Sequence, residues 1–71
     1  MAELYAYYFA ELDEDNMCVA VLDTTADMSD VPNMVAIPVY DEDYVMKYYN
    51  WDDGKFYYDA EYTQEYISPL L

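Results

Sequence analysis

The stretch "LYAYYFAELDEDNMCVAVLD" (Leu4–Asp23) decides the fold class. Leu4–Leu12 mixes aromatic and small apolar residues, which suits a pleated strand. "DEDN" (Asp13–Asn16) is a turn signal. "MCVAVLD" (Met17–Asp23) is short, apolar and β-branched at two positions. The two segments predict an antiparallel hairpin. Alternation puts Tyr5, Tyr7 and Phe9 on one face and Leu4, Ala6, Tyr8 and Ala10 on the other. Both faces carry apolar groups, so this strand is either central in its sheet or covered by a partner.

Reading outward, Thr24–Asn33 is a loop of small polar residues with no period. Met34–Tyr40 predicts a third strand. Pro38 cannot donate to a ladder, so the strand is an edge or bends there. Asp41 is placed to cap a short helical turn, with Glu42 and Asp43 at its positive end and Lys47 near its close. Tyr44 and Tyr48, four apart, would share a face of that turn. In "YYNWDDGKFYY" (Tyr48–Tyr58), Asp53-Gly54 is a preferred pair for a hairpin turn needing positive φ. The tail "DAEYTQEYISPLL" is compatible with a short helix that sets Tyr62, Tyr66 and Leu70 in register and stops at Pro69. The expected fold is α+β and mainly β: a small antiparallel sheet of four or five strands, one short helical turn and, as an optional addition, a C-terminal helix. Residues 1–71 read as a single small acidic domain.

The totals narrow the chemistry. A 71-residue chain buries a small core, and such domains usually rely on disulfides, metals or oligomerisation. Cys18 is the only cysteine and there is no histidine, so an internal disulfide and the usual zinc ligand sets are excluded. Self-association is the support that remains. The start lacks a basic region and carries Glu3 early, unlike a secretory signal. No apolar run approaches the roughly 20 residues of a membrane helix. The expected location is cytoplasmic.

No catalytic constellation is present. Cys18 lies inside a predicted strand with no base to activate it, and reads as a buried structural thiol. Ser29, Ser68 and the threonines have no triad partner. Calcium loops counted from Asp13 or Asp41 fail at their fifth and sixth positions, which are Met17 and Cys18, or Val45 and Met46. The chain is expected not to be an enzyme and to need no cofactor and no metal.

The acids therefore read as a field. Sixteen Asp and Glu face two Lys, for a net charge of −14. Such a surface repels phosphates and anionic membranes, so direct nucleic-acid binding and membrane binding are disfavoured. It attracts a basic partner. Duplex DNA carries one charge per ~1.7 Å of axis, a density that carboxylates on successive turns can imitate. The residues expected to meet such a partner are Asp41, Glu42, Asp43, Asp52, Asp53, Asp59, Glu61 and Glu65, with Tyr57, Tyr58 and Tyr62 as aromatic anchors. Tyr5, Tyr7 and Tyr48 read as core; Tyr57, Tyr58, Tyr62 and Tyr66, set among acids, do not.

"YAYYFAELDEDNMCVAVLDT" and "PNMVAIPVYDEDYVMKYYNWDDGKFYYD" together resemble short proteins and terminal modules of tailed bacteriophages. The matching positions are Asp13–Asn16, Pro32–Pro38, Asp41–Tyr49 and Gly54–Phe56, and the resemblance covers most of Tyr5 to Tyr58. Met46 stands where those modules usually carry glycine. The resemblance implies one of two roles. The first is an inhibitor of anti-CRISPR or anti-restriction type, acting in the host bacterial cell on a basic host protein that binds nucleic acid. The alternative is a virion structural or assembly module that forms a homo-oligomer. It carries over no functional residue.

Overall fold

The computed structural model describes residues 7–71, so the alternation expected at Leu4, Tyr5 and Ala6 lies outside the described residues. The elements are β1 (Tyr7–Leu12), β2 (Cys18–Thr24), β3 (Met34–Ala36), a 3-10 turn (Glu42–Tyr44), β4 (Tyr48–Asn50), β5 (Lys55–Tyr57) and β6 (Glu65–Tyr66). They form two three-stranded antiparallel sheets, ordered β2-β1-β3 and β4-β5-β6. The protein is mainly β, and the 3-10 turn is the one helical element among the described residues.

The first hairpin forms as its sequence requires. β1 is the central strand, which explains its two apolar faces: Phe9 and Ala10 are 1% and 0% exposed. The Asp13 carboxylate accepts the Asp15 and Met17 N–H groups at 2.8 and 3.0 Å, and Asn16 adopts φ 65. Asn tolerates this left-handed conformation better than most residues. A bulge then interrupts the ladder. Glu11 pairs with Ala20, but Leu12 pairs with Cys18, leaving Val19 out of register and exposed. The extra residue turns Cys18 inward beside Leu12, where both are buried.

β3 lies at the edge of its sheet and ends before Pro38, as a strand without that donor must. The two sheets are stitched together where the first hairpin meets β4. Met17 bridges to Tyr48, the Cys18 N–H donates to the Lys47 carbonyl at 2.8 Å, and the Met46 N–H donates to the Cys18 carbonyl at 2.7 Å. Between the sheets lies one core of Ala10, Leu12, Cys18, Val35, Ile37, Tyr44, Phe56 and Tyr66. The Tyr44 ring sits 4.8 Å from Phe56 and 5.2 Å from Tyr66. Each such aromatic pair adds about 0.5–1.5 kcal/mol beyond its buried area.

Three expectations are corrected. The mainly β, antiparallel character holds, but in place of one sheet of four or five strands the described residues form two sheets with six strands. The tail is not helical: Glu65 and Tyr66 form β6 opposite Tyr57 and Phe56. Tyr62 has φ 60, which no right-handed helix accepts, and the Asp59 carboxylate binds the Thr63 and Gln64 N–H groups to close a loop. The second hairpin, by contrast, forms where expected: it turns over four residues, Trp51 to Gly54, and the pair Asp53-Gly54 supplies positive φ at Gly54 (φ 71). Asn50 widens this loop, accepting the Asp52 N–H on its side chain and the Gly54 N–H on its carbonyl. The turn after Tyr40 stops at Tyr44, so Tyr48 belongs to β4 and shares no helical face with it.

Candidate functional site

The acidic residues divide into two populations. Among the described acids, five accept backbone N–H groups across turns: Asp13, Asp27, Asp41, Asp53 and Asp59. A chain with one glycine and no disulfide has few other ways to fix its turns, and short carboxylate side chains do so by mimicking a backbone turn. The rest of the described acids form no such bond, and nearly all are exposed: Glu14, Asp15, Asp23, Asp30, Glu42, Asp43, Asp52, Glu61 and Glu65.

Asp41 leaves the expected contact surface. It is 5% exposed, caps the 3-10 turn by accepting the Asp43 N–H at 2.9 Å, and accepts the Tyr66 hydroxyl. Burial opposes its ionisation. Hydrogen bonds from Ser68, Tyr66 and the Asp43 backbone, with the field of Lys47, outweigh that and hold the carboxyl below its usual range. Tyr66 responds in the opposite sense, since burial and the Asp41 carboxylate both hold its proton on. Tyr66 is therefore core, because its pairing with Phe56 turns its ring inward. Nothing in a run of acids and tyrosines marks Asp41 and Tyr66 as a buried pair 25 residues apart, except the capping position of Asp41.

The remaining expected residues are spread over the 3-10 turn, the β4–β5 loop, the β5–β6 loop and β6. Glu42 and Asp43 are exposed on the 3-10 turn, and Asp52 and Asp53 on the β4–β5 loop. Asp59 and Glu61 lie on the β5–β6 loop, with Glu65 on β6. Asp59 is half-buried, and hydrogen bonding by Thr63 lowers its pKa against a smaller cost of burial. Of the aromatic anchors, Tyr57 and Tyr62 pack on each other with ring centroids 5.4 Å apart and are half-buried. The Tyr57 hydroxyl donates to Asp53, and this bond first, then desolvation, pushes its pKa up to about 12. Tyr58 stays open at 55% exposure. Tyr7 and Tyr48, expected in the core, are exposed and half-buried respectively, while Tyr44 takes the central place.

Sequence reasoning passed over Trp51. It is 54% exposed, and its Nε1 donates to the Asn16 side chain at 3.0 Å. That bond draws the Asp13–Asn16 turn to the Trp51–Gly54 loop, so Glu14 and Asp15 join the same end of the molecule as Asp52. The signal was available in the residue type alone, because a large ring in a polar loop is rarely there for the core.

Both cations are engaged internally. Lys47 Nζ donates to the Asp43 carbonyl at 2.8 Å and lies 5.0 and 4.8 Å over the Tyr58 and Tyr66 rings. Lys55 Nζ is 3.9 Å from Glu65. Among the described residues no three carboxylates or thiols converge to hold a metal ion, and no helix is long and apolar enough to cross a membrane. Cys18 is fully buried; desolvation raises its pKa, with its Sγ donating to the Ala20 carbonyl. The chain matches no family model, and no curated protein or solved structure is similar to it.

Proposed function

We propose that this protein is a phage-type inhibitor that docks through its acidic turns onto the basic surface of a host protein that handles nucleic acid. The observation that carries this reading is the absence of neutralisation. The charge is −14, and both lysines are spent on contacts inside the molecule. The exposed carboxylates of Glu42, Asp43, Asp52 and Glu61, which neither lysine side chain neutralises, thus present their field to solvent, which accelerates and orients association with a positive groove. Tyr58 and Trp51 supply exposed rings suited to arginine side chains. The chain's resemblance to modules of tailed bacteriophages agrees with such a role. The reading is tested by the triple variant Glu42→Gln, Asp52→Asn, Glu61→Gln, whose side chains fix no turn. Binding to the target should weaken at least tenfold at low salt. Unchanged binding refutes it.

A further inference from the structure

A groove of about 300 Å³ opens between the two sheets, walled by Ile37, Pro38, Phe56, Ile67 and Leu71. Its size is at the lower limit of small-molecule sites, which suits one inserted side chain rather than a whole ligand. The walls include residues next to the end of β3 and the strand β6, the outer strands of their sheets. Edge strands offer backbone groups to an added extended segment. Two of the walls, Ile67 and Leu71, are 66% and 69% exposed, a large apolar presentation for a chain this acidic. On the rim, Glu65 faces Lys55 at 3.9 Å. Both side chains are substantially exposed, so this ion pair is weak, and an arginine can take the carboxylate with two parallel hydrogen bonds.

Charge decides the occupant. A second copy would bring a whole chain of charge −14 against another of the same charge and is repelled. We infer that the groove binds an extended cationic segment of a protein partner, in which one aliphatic side chain flanked by arginine or lysine fills the space between the sheets. The inference rests on the acidic-docking reading for the sign of the partner's charge. It adds an apolar anchor that charge alone does not require.

The test uses two peptides of equal charge, acetyl-Lys-Arg-Leu-Arg-Lys-amide and the same sequence with serine for leucine, titrated into the isotopically labelled protein and followed by amide chemical shifts. The leucine peptide should shift Ile37, Phe56 and Ser68 saturably and bind at least about tenfold tighter, the selectivity expected of a filled apolar pocket. Ile67→Glu removes an exposed apolar wall while making the protein more acidic, and should erase that preference. Equal binding of the two peptides, an undiminished preference in Ile67→Glu, or no shift at millimolar peptide overturns the inference. So do concentration-dependent shifts of these amides without peptide, which would assign the groove to a second copy. Equal binding of the two peptides by the parent protein, with target binding still lost in the charge triple variant, would sink the groove alone. Loss of target binding in the charge triple variant, with peptide preference kept, would leave both readings standing.

Discussion

Replacing Asp41 by alanine tests the claim that one carboxylate in the acidic run serves the fold rather than the surface. The substitution removes the cap of the 3-10 turn, a contribution of about 1 kcal/mol. It also leaves the Tyr66 hydroxyl, in the core, without its acceptor, at about 1–3 kcal/mol. The expected loss is therefore about 3 kcal/mol. On a per-residue scale a 71-residue domain has roughly 4–10 kcal/mol in total, so a third or more of the stability would go. Urea unfolding followed by near-ultraviolet circular dichroism of the tyrosines measures it, with Glu42→Ala as the exposed control expected within about 0.5 kcal/mol of the parent. The pH dependence carries a second signature. The folded pKa of Asp41 lies below its ordinary 3.8, so the folded state binds this proton more weakly than the unfolded state. Its contribution is complete above pH 3.8 and is lost as pH falls through the lowered value. Asp41→Asn should lack that acid-side loss. If Asp41→Ala unfolds at the same urea concentration as Glu42→Ala, the buried capping role is refuted.

Other perturbations probe separate features. Met46 is exposed with φ 73, a conformation that costs a non-glycine residue about 1–2 kcal/mol, partly offset by the entropy glycine loses on folding. Met46→Gly should raise the urea midpoint, with a gain of about 0.5–1 kcal/mol; a drop would show that the Met46 side chain contributes more than its backbone costs. Alkaline titration followed by phenolate absorbance should show Tyr57 ionising near pH 12, and Asp53→Asn should return it toward 10. Because the folded pKa is raised, any stabilisation from this bond is complete below pH 10 and fades as pH climbs through 12. Added sodium chloride should raise the melting temperature at pH 7, since screening relieves repulsion among uncompensated carboxylates; a fall would place the attractive pairs above the repulsive field.

The first hairpin was legible in the sequence because pattern and turn chemistry agree there: apolar alternation on both sides of Asp13–Asn16. The cap at Asp41 was legible for the same reason, a carboxylate two residues before an N–H that needs it. The sheet division was not. β6 is two residues long and exists because Phe56 and Tyr57 offer it an edge, a tertiary cause that no local period records. The four-residue spacing of Tyr62, Tyr66 and Leu70 imitated a helix, and positive φ at Tyr62 defeats it. The bulge at Val19 likewise leaves no sequence mark, yet it sends Cys18 inward. Among the expected contact residues the sequence could not separate acids that fix turns from acids that face solvent, because both occur in the same kind of turn. Asp53 and Asp59 fix turns; Glu42, Asp52 and Glu61 are free of that duty.

The central proposal, docking of an uncompensated acidic surface on a basic nucleic-acid-handling protein, is tested most directly by affinity capture from bacterial host lysate at low salt, with elution by duplex DNA. The account predicts a nucleic-acid-binding protein that is retained at low salt, released by high salt, and displaced by the duplex because both compete for one groove. A captured protein that stays bound in the presence of excess duplex, or no nucleic-acid-binding protein captured at low salt, would contradict it.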